Sequence, residues 1–289
     1  SLYSIEPFIG LDWEDMSFRR IFLDKPERVT GFLGPAEVNY LKRLSESGKK
    51  PAMVEIAGRD SVAAAVKAVE NDNYTDLLPV YAYTGTEYGA WAAVETAVDR
   101  LKKILPDVEI HPLQIVGSPV FWRALNGRFV SELIQQFGFF SPCPGCHLYL
   151  HAIRIPLAKE LGSMPIIAGE RESHSGMVKI NQAASALDFY LDFARRFDTE
   201  LQFPLRHIKS GEAIEEILQI PWHRGKEQLQ CVLSGNYRSV KEINMIRDAE
   251  VLHFFENFAG PAAETIVQSY LSGKSPDHAG AAESVLFRL

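Results

Sequence analysis

The cysteines of this chain are few and patterned: Cys143, Cys146 and Cys231 are the only three in 289 residues. Two form a C-x-x-C within Ser141-Pro-Cys-Pro-Gly-Cys-His147. A Pro-Gly turn brings both sulfurs to one side, and a helix opening at His147 would stabilise thiolate charge. Such a pair binds a metal, works as a redox couple, or is an incidental turn. Cys231 follows 85 positions later (231 − 146) in an apolar stretch. Alone it reads as a buried, inert thiol. With the pair it makes three ligands and leaves a fourth coordination position open. On a [4Fe–4S] cluster the open iron would hold sulfide or substrate; on Zn²⁺, His147 or His151 would fill the vacancy.

A second group of residues suits an anion. Met53–Val69 reads as a strand, a small Ala57-Gly58 corner, then Asp60-Ser61 and an alanine-rich helix. Asp60 is the expected N-cap, and the free N–H groups of the first helical turn form a cradle for phosphate. No Lys-Ser or Lys-Thr follows the glycine and no second glycine is present, so neither the Walker loop nor the dinucleotide fingerprint is there. An ordinary strand–turn–helix corner is the bland alternative.

The third group is Ile166-Ile-Ala-Gly-Glu-Arg-Glu-Ser-His-Ser-Gly176, an apolar strand running into a loop dense in polar side chains. Glu170 or Glu172 could bind Mg²⁺ and Arg171 could neutralise phosphate. Glu170, Arg171 and His174 are expected to face the same cleft as the Ala57–Ser61 corner. Arg206, in Phe203-Pro-Leu-Arg-His-Ile208, is a further candidate for nucleotide or an acidic substrate, or else a surface arginine.

These residues need elements to position them. Short apolar runs alternate with helical stretches from residue 51 onward, the pattern of an α/β protein with a parallel sheet and crossover helices. Strands are expected at Met53–Ile56, Leu78–Tyr83, Glu109–Ile115, Pro165–Ala168 and Leu201–Phe203. Helices are expected at Asp60–Glu70, Tyr88–Ile104, Val120–Phe137, His147–Leu161, Ala183–Phe197 and Glu212–Leu218, with Val251–Phe258 and Ala262–Leu271 near the end. Ligands collect at the carboxyl ends of such strands, where the loops 57–61, 84–87, 116–118 and 169–176 fall. The expected organisation is an N-terminal extension at 1–50, the α/β domain at 51–208, and a helical C-terminal region at 209–289 that contributes Cys231.

Composition bounds the rest. An apolar fraction of 46% supports a sizeable core. No apolar run is long enough for a bilayer and no signal peptide is read, so a cytoplasmic protein with no membrane partner is expected. A net charge of −7 argues against binding nucleic acid through bulk charge. Residues 206–241 carry a local surplus, six Lys/Arg against four acids, which reads as a mixed solvated surface.

Ile56-Ala57-Gly58-Arg59-Asp60-Ser61 resembles the PP-loop of the ATP pyrophosphatases, written SGGxDS. Gly58, Asp60 and Ser61 match; Ile56 and Ala57 replace the leading Ser and Gly. With the C-x-x-C and the distant cysteine, the chain over roughly residues 51–240 is similar to the iron–sulfur-dependent tRNA 2-thiolation enzymes of that superfamily. The Gly169-Glu-Arg-Glu-Ser173 run resembles its sulfate-reduction branch, whose C-terminal cysteine motif is missing here, and the Pro-Leu-Arg of 204–206 resembles a stretch of the thiolation enzymes. The resemblance implies a parallel five-stranded sheet with helices on both faces, the adenine nucleotide alpha hydrolase-like fold. It implies that ATP, with Mg²⁺, adenylates an acceptor oxygen and that sulfur from a donor then displaces AMP. By the same resemblance Ala57, Gly58, Arg59, Asp60, Ser61, Gly169 and Arg206 bind the nucleotide, Asp60, Glu170 and Arg171 are catalytic, and the three cysteines hold a [4Fe–4S] cluster. The family's zinc-binding cysteine pairs are absent, which with the acidic charge weighs against tRNA and toward a small-molecule acceptor. A homodimer is compatible. Two other readings fit: another ATP-dependent ligase or amidase-like enzyme with zinc in the cysteine site, and a non-catalytic nucleotide sensor, suggested by the Ile56-Ala57 start.

Overall fold

The computed structural model describes residues 35–174, 178–222, 228–234 and 248–288. Most of the expected N-terminal extension, Ser175 and Gly176, and the basic residues at 224, 226, 238 and 241 lie outside them. Five strand positions form one parallel sheet. β1 (Pro51–Glu55) lies at the centre between β2 (Asp76–Tyr83) and β6 (Ile166–Ile167), and β7 (Leu201–Gln202) forms one edge. The other edge position is shared by β4 (Glu109–Ile110) and β5 (Gln114–Gly117), both parallel to β2. This is the doubly covered α/β architecture expected from the sequence.

The single strand expected at Glu109–Ile115 is broken in two. Ile110 pairs with Leu77 and Gln114 with Val80, so three residues face two on β2. Proline explains the place of the bulge. Leu77 O accepts from His111 N and Val80 O from Ile56 N, so alternate residues of β2 face opposite neighbours and Pro79 faces the interrupted edge. There its missing N–H leaves no ladder bond unmade.

Side chains alternate along β1: Met53 joins one apolar cluster, Ala52 and Val54 the other. Helices cover both faces. On one side are α2 (Arg59–Asp72), α3 (Ala92–Ile104) and α9 (Gly211–Leu218). On the other are α1 (Pro35–Lys42), α4 (Pro119–Asn126), α5 (Val130–Phe137), α6 (Pro142–Ala152), α7 (Ile155–Glu160), α8 (Ala184–Arg195), α10 (Asp248–Phe254), α11 (Gly260–Leu271) and α12 (His278–Leu286). Between α10 and α11 a π-helical turn, Phe255–Ala259, stacks Phe255 on Phe189 at 4.7 Å.

Three helix boundaries differ from expectation in ways that shape the site. Helix α3 starts at Ala92, because Glu87–Tyr88 is a short strand, β3, paired antiparallel with β8 (Gln230–Cys231). Gly127 ends α4, so Val120–Phe137 is two helices rather than one. Helix α6 begins at Pro142, not His147: proline at the first helical position is pre-set for a helix and has no N–H to lose. The C-x-x-C therefore forms the first turn of a helix, with its two cysteines three apart on one face.

Candidate functional site

Ser61 builds the corner after β1. Its Oγ accepts from Ala57 N at 2.9 Å and Gly58 N at 3.0 Å and donates to Gly58 O at 2.8 Å. Gly58, not Asp60, occupies the N-cap position of α2. Asp60 sits inside the first turn because its carboxylate is drawn to two guanidinium groups, Arg59 Nε at 2.9 Å and Arg171 Nε at 2.9 Å. The first intrahelical bond is Val62 N to Gly58 O, so Arg59, Asp60 and Ser61 carry N–H groups with no intrahelical partner. Gly169 permits the loop after β6 to press against this turn: a Cβ there would meet Ser61 N at 2.7 Å and Asp60 C at 2.8 Å.

The corner opens on a cleft of about 670 Å³. Glu170, Arg171 and His174 all line it together with residues 57–61, which is the juxtaposition expected from sequence. A chain of polar contacts joins them. Arg171 Nη2 donates to His174 Nδ1 at 2.8 Å, which fixes the neutral tautomer; His174 Nε2 donates to Gln182 Oε1 at 2.5 Å. Gln182 Nε2 donates to Glu170 Oε2, and His147 Nδ1 donates to Glu170 Oε1 at 2.6 Å. His147 Nε2 meets Asn181 Nδ2 at 2.8 Å. Burial, then the charges of Lys179 and Arg171, push His174 down to about 4. Burial alone would raise Glu170, but His147 and His151, the latter 3.3 Å away, hold its carboxyl well below the usual range.

Both oxygens of Glu170 are taken, and Glu172 pairs with Arg206 at 2.6 Å. Arg206 also holds Asp188 at 2.6 Å and lines neither cavity described here. Both oxygens of Glu170 are thus engaged, whereas Glu172 keeps its Oε2 without a hydrogen bond, 3.6 Å from His207 Nδ1.

All three cysteines line a second cavity of about 250 Å³. All three are free thiols. The β3–β8 ladder delivers Cys231, placing it opposite Glu87, with Sγ 3.2 Å from Thr86 Oγ1. Glu87 in turn pins the loop before β3, accepting from Thr84 N at 2.7 Å and Gly85 N at 2.8 Å. Burial pushes the Cys143 thiol up to about 11 and Cys146 further still. Among the described residues no three or more His, Cys, Asp and Glu side chains are gathered closely enough to hold a metal ion. The three thiols line one cavity but, as placed, do not converge on one ion.

The two cavities share walls: Glu55, Ala57, His147, Lys179 and Leu229 line both. Glu55, Lys179, Asn181 and Gln182 were not singled out in the sequence. The one signal for the last three was the polar run Lys179-Ile-Asn-Gln182, hidden between a loop read as ending at 176 and a helix read as starting at 183.

Among the described residues no helix is long and apolar enough to cross a membrane. No protein-family model matches the chain. Solved structures that align with it include a predicted subunit of tRNA methyltransferase from Methanocaldococcus jannaschii (13% identity, 80% of this chain and 91% of that one, TM-score 0.36), and the U34-tRNA thiolase NcsA from Methanococcus maripaludis with its [4Fe–4S] cluster (16% identity, 87% and 79%, TM-score 0.40). In sequence, the uncharacterized protein MJ0009 of M. jannaschii is 41% identical over 247 residues, 83% of this chain and 88% of that protein. At that identity and coverage the chain belongs to the same family as MJ0009.

Proposed function

We propose that this protein is a PP-loop ATP pyrophosphatase that adenylates an acceptor oxygen, releases pyrophosphate, and transfers sulfur at the cysteine cavity. The observation that carries this reading is the shared wall between the loop-lined cleft and the three-thiol cavity. A nucleotide in one would place its reactive phosphate within reach of a group held in the other.

The residues divide the work. The free N–H groups at the start of α2 receive pyrophosphate, whose charge the helix terminus favours. Arg59 adds to this: its side chain lines the cleft, with Nη1 buried without a hydrogen-bond partner and 3.7 Å from Glu215. Lys179 stands on the shared wall and neutralises the phosphate that becomes AMP. Asp60 and Arg171 hold the corner in shape for the nucleotide. A magnesium ion arriving with ATP would be held by phosphates and water rather than by Glu170, whose two oxygens are already engaged. Cys143, Cys146 and Cys231 would hold a [4Fe–4S] cluster, whose open iron supplies a site for sulfur.

The test uses protein purified without oxygen. Iron and zinc contents are measured, then AMP and pyrophosphate release from labelled ATP with sulfide and candidate acceptors. AMP formed in proportion to sulfur transferred supports the reading. ADP as the product, or bound ATP that is never cleaved, refutes it and leaves a ligase of another kind or a sensor. Zinc in place of iron removes the cluster and keeps the nucleotide chemistry.

A further inference from the structure

Residues 228–231 run from one cavity into the other. Gln228 lines the loop cleft, Leu229 lies on the shared wall, and Gln230 and Cys231 line the cysteine cavity. Gln228 also lies against the phosphate corner. Gly58 has φ 178° and ψ −150°, extended backbone that any residue adopts, so its own conformation does not call for glycine. Its neighbour does. A Cβ on Gly58 would meet Gln228 Oε1 at 2.5 Å, Cβ at 2.9 Å and Cδ at 3.3 Å, and these are the nearest atoms it would find. The missing side chain at Gly58 is what admits Gln228 to the start of α2.

A ligand would break this contact readily. The atom that Gln228 brings nearest to Gly58 is its carboxamide oxygen, a neutral acceptor beside a helix N-terminus. A charged phosphate oxygen makes the stronger hydrogen bonds there. Gln228 is exposed, so it gives way without leaving a buried polar group unpaired. Cys231 follows three residues on, about 10 Å away at the rise of an extended chain. Its own anchorage is short. The ladder pairs only Glu87 with Cys231 and Tyr88 with Gln230, extended by Val232 N to Thr86 O at 2.9 Å and by Cys231 Sγ to Thr86 Oγ1 at 3.2 Å. Elements held by so few bonds shift at low cost.

We propose that residues 228–231 form a strap that reports occupancy of the phosphate corner to the cysteine cavity: a phosphate group entering beside Gly58 displaces Gln228 and, through it, shifts Cys231. This rests on the reading of the corner as the phosphate site of the nucleotide. Without ligand, Gln228 holds the strap against α2. With phosphate bound, the strap lifts and the Cys231 thiol becomes more accessible, so the cysteine cavity changes state only when nucleotide has arrived.

Pyrophosphate is the probe, because it supplies the phosphates without a base or sugar that could shield the thiols directly. The full chain, reduced and free of metal, is alkylated with iodoacetamide at one fixed pH. Mass spectrometry of its peptides follows each cysteine, with Cys143 on α6 as the internal reference. Saturating pyrophosphate is expected to speed alkylation of Cys231 about fivefold, the low end for coupled sites, and to leave Cys143 unchanged. Gln228→Gly, a change at an exposed position, should bind pyrophosphate at least as tightly in calorimetry and lose the response of Cys231. Gly58→Ala should speed Cys231 without any pyrophosphate, since the methyl pushes Gln228 away, and adding Gln228→Gly should abolish that gain. An unchanged Cys231 rate with pyrophosphate bound, the same response in Gln228→Gly, or weaker pyrophosphate binding in that variant overturns the proposal. Binding of pyrophosphate and ATP without a response removes this inference alone; failure of both to bind removes the nucleotide reading and this inference with it.

Discussion

Replacing Asp60 by Ala separates two physical roles for one carboxylate. Were Asp60 a helix cap, its loss would cost about 1 kcal/mol. The structure gives it a different task. Its Oδ2 is 2.9 Å from Arg171 Nε, with the Arg171 side chain 3% exposed and that of Asp60 24% exposed. Removing one partner of a buried pair leaves an uncompensated charge, at a cost of about 3–5 kcal/mol. Because Asp60 keeps some contact with water, and Arg171 retains the carbonyls of Ser173 and Ile208 at 3.4 and 3.3 Å, the low end applies, about 3 kcal/mol. Equilibrium urea unfolding of the two proteins measures it. Adding Arg171→Met to Asp60→Ala should recover part of the loss, since no cation is then left buried. A loss near 1 kcal/mol or less, with no recovery in the double variant, would refute this account and return Asp60 to a capping role.

Gly169→Ala forces a Cβ against the backbone of Asp60 and Ser61, at 2.9 Å or closer, where no flexible side chain can yield. Overpacking of this kind costs about 1–3 kcal/mol, read by urea unfolding, and should weaken ATP binding in calorimetry. Stability should also depend on pH through His174. Its folded pKa of about 4 lies below its ordinary 6.5, so the unfolded chain binds the extra proton in between. Stability is then full above about pH 6.5 and falls as pH drops toward about 4. His174→Gln should flatten that segment of the urea-midpoint profile, leaving the steeper acid loss from Glu170, whose depressed carboxyl protonates later. Metal-free Cys143 should alkylate at pH 8 on the order of a hundredfold more slowly than an ordinary thiol, because burial holds it protonated; mass spectrometry of a time course reads this.

How far the sequence reached can be argued element by element. The apolar run at 53–56 and the turn at Ala57-Gly58 are local properties, and they placed β1 and α2 to within two residues and gave the parallel sheet. The polar run after Ile167 was legible for the same reason: hydrophilic residues directly after a buried strand stand out against it. What stayed hidden depended on partners distant in the chain. Asp60 reads as a cap until Arg171, 111 positions later, draws its carboxylate away. Arg206 reads equally as a ligand for nucleotide or an acidic substrate and as a surface arginine, and only the structure pairs its guanidinium with Glu172 and Asp188. Cys231 is the sharpest case. Composition and spacing could group it with Cys143 and Cys146, but a two-residue ladder against Glu87–Tyr88 brings it to their cavity. Strand pairing of that length has almost no sequence signature, because it is selected by the surrounding tertiary contacts rather than by local propensity.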